Sequence, residues 1–429
     1  MSNDYDELVV GGRVINKLIN LTTRWSGLKN LDLAEKVSTS GIFYVCSDQV
    51  KNYIDNNFPK ASTIIQKNRL GTAHAVECMR SIIPKKNNDV LVLFGDVPLV
   101  KITTINKLIK YKRNNKSIGI IATFNTNNPF GYGRVVTNNK YVTNIIEEKD
   151  ATLEQKKIKL CNSGILICDS EYLFNSIKKI SNNNIQKERF LTDICKIAFD
   201  EKKPFMYFNC DEKEVLGINS KKQLIELDIN FQKKLKNDLI DKGVNLIQPD
   251  TIRISYDTKI EKDSIIEPNT IINKGVIIKD STKILAGSYL EGCTIGKNCN
   301  IGPQARIRFK STIGNNVKIG NFVEIKNSKI GDFSSIAHLS YIGDSDIGTK
   351  VNIGAGTITC NYDGYKKNKT FIGNNSFIGS NCSLIAPIKI AKNVTIGAGS
   401  VVTKNVPSSS LAIERSKLLI KKKKKISRK

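Results

Sequence analysis

His338 is the residue whose type and position most directly suggest chemistry. The chain contains only two histidines. This one lies at residues 336–341 (IAHLSY), within a part of the chain where isoleucines recur at regular intervals. Because an imidazole titrates near neutral pH, a histidine here is suited to act as a general base. A lone histidine on a repetitive β structure is, however, more often a surface or stacking residue. The spacing alone leaves both interpretations open.

Asp96 is the second candidate. It follows the apolar run at residues 90–94 (VLVLF) and lies in the polar stretch at residues 95–98 (GDVP). This pattern predicts a buried parallel strand that ends in a turn. Ligands of open α/β sheets bind at the carboxyl ends of such strands, so Asp96 is a candidate ligand-binding residue. An aspartate in this position is also often only a helix cap.

The isoleucines around His338 belong to a long repeat with a period of six residues. Neither an α-helix nor an ordinary strand has this period. A triangular coil of short parallel strands does, because each flat side uses about six residues and points one aliphatic side chain inward. The repeat therefore predicts a parallel β-helix and disfavours a β-sandwich. The repeat positions are Ile254, Ile260, Ile266, Ile272, Ile278, Ile284, Leu290, Ile295, Ile301, Ile307, Ile313, Ile319, Ile325, Ile330, Ile336, Ile342, Ile347, Ile353, Ile372, Ile378, Leu384, Ile390, Ile396 and Val402.

The repeat has one long interruption, at residues 357–371. We expect this segment to leave the coil as a projecting loop. Loops on rigid scaffolds often contain functional residues, so the interruption is a candidate part of a site.

The N-terminal half has a different pattern. Apolar runs at residues 90–94, 118–124 and 163–168 predict strands, and residues 102–111 predict a helix. This alternation predicts an open, Rossmann-like α/β sheet. A charged amphipathic stretch then predicts a linker helix that ends at Gly243. We expect an α/β domain at 1–219, the linker helix at 220–243, an all-β parallel β-helix at 244–415 and a basic disordered tail at 416–429.

Composition narrows the classes of partner. The net charge of +27 is compatible with nucleic-acid binding, but the lysines are scattered and the only dense block is at residues 421–425, so we expect no nucleic-acid interface. No segment has the ~20 apolar residues of a membrane span, and the acidic first residues do not resemble a signal peptide. The ten cysteines include no Cys-x-x-Cys pair, which disfavours a zinc or redox motif. We expect a cytoplasmic protein with reduced thiols and no membrane partner.

Four stretches together resemble a known enzyme family. They are residues 321–324 (NFVE), residues 352–364 (NIGAGTITCNYDG), Gln66 with residues 70–72 (LGT), and residues 95–98 (GDVP). Over nearly its whole length the chain resembles the bifunctional bacterial N-acetylglucosamine-1-phosphate uridylyltransferase and glucosamine-1-phosphate acetyltransferase. The resemblance implies a nucleotidyltransferase domain, a left-handed β-helix of hexapeptide repeats, and a role in making UDP-N-acetylglucosamine for the cell wall.

In the repeat half the resemblance implies an acetyltransferase site. Acetyl transfer to an amine needs a base, and a sugar phosphate needs cations. By resemblance, His338 is the base and Glu324 orients it, while Arg308 and Lys326 bind the phosphate. Because the chain is so basic, Arg308 and Lys326 could equally be ordinary solvent-exposed surface residues. Tyr341 and Asn352 would contact the sugar, and the implied acetyl-coenzyme A contacts are Ala355, Asn361, Tyr362, Ser380, Ala398 and Arg415. The resemblance also implies a homotrimer, because neighbouring subunits line this cleft in the family.

In the N-terminal half the resemblance implies a site for UTP and Mg²⁺. Asp96 and Asn219 match the family's magnesium positions, and the implied nucleotide and sugar contacts are Gln66, Gly71, Thr72, Phe94, Gly95, Gly133, Glu147 and Asn162. The family's first strand and glycine-rich phosphate loop have no evident counterpart, so we expect weak uridylyl transfer from the chain as printed. Either the coding region begins further upstream, or this activity has decayed while acetyl transfer persists. A non-catalytic, nucleotidyltransferase-like scaffold is the alternative of another class, and the combination of His338 with its implied partners counts against it.

Overall fold

A computed structural model describes residues 7–11, 42–46, 48–57, 61–68, 70–83, 89–97, 99–217, 221–414, 418 and 420. The chain divides into two compact units, residues 1–228 and 229–429. Asn219, Arg415 and almost all of the predicted basic tail lie outside the described residues.

A nine-stranded mixed sheet forms the centre of the N-terminal unit. Its strands are β1 (Glu7–Gly11), β2 (Ile42–Cys46), β3 (Ala61–Ile65), β4 (Asp89–Phe94), β5 (Gly119–Asn125), β6 (Arg134–Asn138), β7 (Tyr141–Ile146), β8 (Leu160–Asp169) and β9 (Met206–Asn209). They are ordered β3-β2-β1-β4-β8-β5-β9-β7-β6. The first four pair in parallel, and β8 joins antiparallel between β4 and β5. The predicted open α/β sheet is confirmed.

Strand β1 occupies a central position in the sheet, between β2 and β4, although no counterpart of the family's first strand was expected. Leu8 pairs with Ile42 of β2 on one side and with Leu91 of β4 on the other. The expectation that the chain lacks the first strand was therefore wrong. The physical reason is that β2 and β4 each need a neighbour for their backbone N–H and C=O groups, and an extended segment at residues 7–11 supplies it. The segment at residues 12–41, where a phosphate-binding loop would follow, lies outside the described residues.

Seven α-helices lie in the described part of the chain. They are α1 (Asp48–Asn57), α2 (Thr72–Glu77), α3 (Ile102–Asn114), α4 (Ser170–Ile177), α5 (Ile194–Asp200), α6 (Glu212–Val215) and α7 (Lys221–Ile240). Short 3₁₀ turns lie at Gln155–Lys157, Leu191–Asp193 and Pro249–Thr251. The predicted helix at 102–111 is confirmed as α3, which buries Ile105, Leu108 and Ile109 because they recur on one helical face.

Three parallel sheets form the C-terminal unit, a β-helix of about nine turns. The first face contains β10 (Asn245–Leu246), β13 (Ile265–Ile266), β16 (Lys283–Ile284), β19 (Asn300–Ile301), β22 (Lys318–Asn321), β25 (Ser335–His338), β28 (Asn352–Ile353), β31 (Phe377–Ile378), β34 (Thr395–Ile396) and β36 (Leu411–Ala412). The second face contains β11 (Arg253–Ile254), β14 (Ile271–Ile272), β17 (Tyr289–Leu290), β20 (Arg306–Ile307), β23 (Glu324–Lys326), β26 (Tyr341–Gly343), β29 (Ile358–Cys360), β32 (Ser383–Ile385) and β35 (Val401–Val402). The third face contains β12 (Lys259–Ile260), β15 (Ile277–Ile278), β18 (Cys293–Ile295), β21 (Ser311–Ile313), β24 (Lys329–Ile330), β27 (Ser345–Ile347), β30 (Thr370–Ile372) and β33 (Ile388–Ile390).

The repeat isoleucines form the core of this β-helix. Every repeat position from Ile254 to Val402 is buried, and aligned residues on successive turns meet each other, as Ile336 meets Ile353. The hexapeptide prediction is confirmed. Helix α7 covers the first turn of the β-helix. Its residue Leu239 belongs to the core, and the buried side-chain amide of Gln232 forms hydrogen bonds with both the N–H and the C=O of Ile254.

The projecting loop is shorter than predicted. Residues 357–371 were expected to leave the coil, but β29 and β30 retain most of the two ends, and Thr357 and Thr359 are fully buried. The excursion is therefore confined to residues 361–369. Its tip is closed by the Asp363 carboxylate, which accepts hydrogen bonds from the backbone of Tyr365 and Lys366. These bonds lower the pKa of Asp363 to about 2.

Candidate functional site

His338 lies at the end of β25, where the β-helix turns from its first face to its second. Strands β22 and β25 are four residues long, whereas most strands of this face have two. The extra residues extend the ladder so that Asn321 pairs directly with His338. The Asn321 Oδ1 atom lies 2.6 Å from His338 Nδ1. The imidazole is exposed and held on one side by this single side chain.

A column of residues continues from His338 along the same edge. Each member lies two positions beyond an aligned repeat isoleucine. The backbone supports this alignment: Gly356 N–H donates to His338 C=O at 3.2 Å, and the next two turns repeat the bond at 2.7 Å. We call this column the histidine corner; it consists of Asn321, His338, Ala355, Ser380 and Ala398.

The predicted acetyl-coenzyme A residues thus fall into two groups. Ala355, Ser380 and Ala398 are small and lie in the histidine corner on the turns after His338. Tyr362 lies in the projecting loop and is 61% exposed. Asn361 begins the loop, but its amide is buried and donates to the Asp344 carboxylate.

Glu324 contacts arginine side chains. Its Oε1 accepts a hydrogen bond from Arg308 Nη1 at 2.9 Å, and its Oε2 lies 3.7 Å from Arg306 Nη1. Within the described chain it forms no hydrogen bond with His338, whose ring is bonded by Asn321 instead. The structure therefore brings Glu324 to Arg308 and does not bring it to the imidazole, because Glu324 lies past the corner on the second face.

Lys326 belongs to a cluster of cations. It pairs with Gly343 on the next turn, and the ammonium of Lys367, from the projecting loop, lies close enough to lower the pKa of Lys326. Burial and the Arg308 charge act in the same direction, whereas Asp344 opposes them. The three positive charges of Arg308, Lys326 and Lys367 face two carboxylates, Glu324 and Asp344, so an excess of positive charge remains that favours a bound anion such as a phosphate.

Tyr341 and Asn352 lie on either side of the histidine corner. The phenol end of Tyr341 lies close to Gly343, where an added Cβ would be 2.5 Å from the phenol oxygen, so only glycine allows this ring position. Asn352 lies on the first face between Ser335 and Phe377. Tyr341 thus follows His338 on the same turn, and Asn352 lies on the next turn.

In the N-terminal unit the predicted sugar contacts meet each other. The Asn162 N–H donates to Gly133 C=O at 2.9 Å, and a Cβ on Gly133 would lie 3.4 Å from the Glu147 carboxylate. Thr192 Oγ1 donates to Glu147 Oε1 at 3.0 Å. Burial raises the pKa of Glu147, and the nearby Asp193 charge raises it further. The result is a recessed carboxylate suited to accept hydrogen bonds from sugar hydroxyls.

The predicted uracil segment is attached to the same region. Gln66 Nε2 donates to Gly71 C=O and to His74 Nδ1, and Thr72 Oγ1 accepts from Leu191 N–H at 2.8 Å. Gly71 has φ +112°, and an added Cβ would collide with the backbone of Arg189. Because Leu191 and Thr192 are consecutive, one short segment connects Thr72 with Glu147.

Asp96 has the properties expected of a cation ligand. It lies in the turn after Phe94 and Gly95, and its Oδ1 is buried without a hydrogen-bond partner. Burial raises its pKa to about 6. Its predicted partner Asn219 lies outside the described residues. Within the described residues, no group of three or more His, Cys, Asp or Glu side chains is arranged around a metal position.

Sequence reasoning missed four residues of these sites. Asn321 was noted only as part of a motif, and Lys367 lay in a lysine-rich stretch without distinction. Asp344 and Thr192 belong to no recognised pattern. Only the register of the turns could have placed Asn321 beside His338.

These features define a two-part transferase, an α/β nucleotidyltransferase domain followed by a hexapeptide-repeat β-helix. Family models agree: that for nucleotidyl transferases matches residues 36–219, that for six bacterial transferase hexapeptide repeats matches residues 369–404, and that for the GMPPB C-terminal domain matches residues 289–363. The chain belongs to the GlmU family of bifunctional proteins.

Individual relatives match most of the chain. It is 39% identical over 409 residues to the bifunctional protein GlmU of Bartonella bacilliformis, covering 95% of this chain and 91% of that protein. It is 40% identical over 413 residues to the protein of the same name from Bartonella quintana, with coverage of 96% and 91%. For the Fervidobacterium nodosum protein the identity is 42% over 391 residues, with coverage of 87% and 85%. None of the helices described here is long and apolar enough to cross a membrane.

Proposed function

We propose that this chain transfers an acetyl group from acetyl-coenzyme A to glucosamine 1-phosphate, and a uridylyl group from UTP to N-acetylglucosamine 1-phosphate. The main support for the first activity is that His338 lies one turn after Lys326, whose neighbouring charges are those of Arg308 and Lys367. A general base beside an anion site is what an amino sugar phosphate requires.

In the acetyl half, the cation cluster would hold the phosphate and Tyr341 and Asn352 the sugar. His338 would take a proton from the sugar ammonium, and the amine nitrogen would then attack the thioester carbonyl. The C–N bond forms, the C–S bond breaks, and the second proton of the nitrogen passes to the leaving thiolate, which gives the amide and the free thiol. Ala355, Ser380 and Ala398 would line the path of the coenzyme because their small side chains leave room beside the base, with Asn361, Tyr362 and Arg415 proposed at its margins. Glu324 acts on this site through Arg308.

In the uridylyl half, Gln66, Gly71 and Thr72 would contact the uracil, and Gly133, Glu147 and Asn162 the sugar. Asp96, with Asn219, would hold Mg²⁺, since a buried carboxylate oxygen without a partner fits a hard cation. When bound, the ion would offset charge on the phosphates. Phe94 and Gly95 would position the turn that presents Asp96. We also propose a homotrimer, in which adjacent chains complete the coenzyme cleft.

Two separate assays on the purified chain test this proposal. His338→Ala should lower acetyl transfer by roughly 10²–10⁴-fold and leave UTP-dependent turnover unchanged, whereas Asp96→Asn should do the reverse. Chelating Mg²⁺ should stop only the uridylyl reaction. Light scattering should give about three times the monomer mass. Near-normal acetyl transfer by His338→Ala would overturn the acetyl assignment, and absence of both reactions in the unmutated chain would favour a scaffold.

A further inference from the structure

We propose that Asn321 is the positioning residue of the base, selecting the ring tautomer of His338 that leaves Nε2 free to accept a proton. This inference rests on the proposed acetyl transfer. Its evidence is the 2.6 Å contact between Asn321 Oδ1 and His338 Nδ1, together with the strand register that creates it.

The chemistry of the two atoms determines the direction of the hydrogen bond. An amide oxygen has lone pairs and no hydrogen, so Asn321 Oδ1 accepts and His338 Nδ1 donates. A neutral imidazole has one N–H, and placing it on Nδ1 leaves a lone pair on Nε2. Nε2 is therefore the atom able to take the proton from the substrate ammonium. Without Asn321 the ring is free to adopt the other tautomer, which has no lone pair there.

The backbone around Asn321 is built to maintain this contact. Leu339 N–H donates to Asn321 C=O at 3.0 Å, and the His338 C=O accepts from both Gly356 N–H and Ser340 Oγ. An added Cβ on Gly320 would collide with the Ala337 carbonyl. Only glycine at 320 therefore permits the close approach of the two strands that sets Asn321 against the ring.

The partner is neutral, and this has a consequence for the base. The ionisable side chains on the strands just past this corner are Glu324, Lys326 and Tyr341, and the Glu324 carboxylate is bonded to Arg308. An amide partner fixes the ring without adding negative charge beside it, whereas a carboxylate would favour the protonated ring, which cannot act as a base.

The test compares three variants of the full-length chain. Asn321→Ala should lower kcat for acetyl transfer about 10-fold or more, with little change in KM for glucosamine 1-phosphate. Asn321→Asp should recover most of kcat at high pH, with the acidic limb of the pH–rate profile moved to higher pH. Asn300→Ala replaces an exposed asparagine on the same face away from the corner and should match the unmutated chain.

Selective ¹⁵N labelling of histidine gives a readout that does not depend on activity. The spectrum contains two rings. Gln66 donates to His74 Nδ1, so His74 should show the Nε2–H tautomer and His338 the Nδ1–H tautomer. In Asn321→Ala, only His338 should change.

Each outcome decides a different point. An Nε2–H signal from His338 in the unmutated chain, or normal kcat in a folded Asn321→Ala, would overturn the positioning role. Absence of acetyl transfer in the unmutated chain, with the tautomers as expected, would overturn the proposed function and leave the hydrogen bond established. Thermal unfolding of each variant distinguishes loss of folding from loss of the contact.

Discussion

Replacing Gly320 with alanine should uncouple the base from its partner without touching either side chain. The new methyl group would lie well inside the 3.0 Å that real Cβ contacts respect, and the atom it meets is the Ala337 backbone carbonyl, which cannot rotate away. Strands β22 and β25 must therefore separate at this point. Asn321 and His338 are the next residues along both strands, so the displacement acts directly on their 2.6 Å hydrogen bond.

The size of the effect follows from the required movement. Relieving the collision needs about 1 Å of backbone displacement, and a misplacement of this size at a reacting group can cost about 100-fold in rate. A hydrogen bond stretched by the same amount is also lost, because geometry beyond about 3.5 Å no longer qualifies. We therefore expect acetyl transfer by Gly320→Ala to fall roughly 100-fold in kcat, accompanied by lower thermal stability.

A matched glycine separates the two effects. An added Cβ on Gly296 would collide with the Gly314 carbonyl on a turn remote from His338, so Gly296→Ala should lose comparable stability and retain normal turnover. Activities are measured at a temperature where both variants are folded, with acetyl-coenzyme A consumption as the assay. Equal turnover of Gly320→Ala and Gly296→Ala would refute the link between strand approach and catalysis.

Three further predictions test other parts of the sites. Lys367→Ala should raise KM for glucosamine 1-phosphate about 10-fold with a smaller effect on kcat, since a charge-assisted phosphate contact is lost, and Lys329→Ala on the third face should match the unmutated chain in the same assay. Glu148→Gln should lower the free energy of unfolding by roughly 2–4 kcal/mol, because Arg134, 2% exposed, loses the partner 2.7 Å away; urea unfolding of the N-terminal unit measures this, and a change below the assay error would contradict it. Burial raises the pKa of Asp193 to about 6, from 3.8, with Asp150 adding to the shift. The stability contribution of Asp193 is therefore present below pH 3.8 and lost as pH rises through 6. When urea unfolding is measured at a pH above 6, Asp193→Asn should raise the urea midpoint, by an amount equivalent to roughly 1–2 kcal/mol given partial solvation. Below about pH 4 the same substitution should leave the midpoint unchanged.

The hexapeptide repeat was the part of the fold most completely predictable from sequence. Each flat side of the coil needs one inward aliphatic residue, so Ile254 and every later repeat position had to be buried. The strand at residues 90–94 was equally clear because a continuous apolar run bounded by turn residues has few alternatives. These predictions depend only on local pattern, which a single sequence contains.

The missed features depend on pairing between distant segments. Strand β1 is five residues long, too short to show a period, and its role follows from the vacancy between β2 and β4. The ends of the projecting loop were misjudged because Ile358 and Phe371 point outward, so the inward residues there are Thr359 and the repeat isoleucine Ile372. Thr192 was not distinguishable because its contact with Glu147 joins residues 45 positions apart.

The histidine corner combines a side chain that fixes the His338 ring with an open edge of small residues beside it. Below His338 the column contains Asn321, which engages one ring nitrogen; above it the column contains Ala355, Ser380 and Ala398, which extend little from the backbone. Neighbouring strands are about 4.8 Å apart, so these three positions span roughly 10–15 Å of open edge. A thioester chain lying along this edge would present its carbonyl to the free ring nitrogen from the C-terminal side, while the cations of the second face hold the acceptor across the corner. In the proposed function, the column would thus place the residue that fixes the base on one side of His338 and the residues that admit the coenzyme on the other.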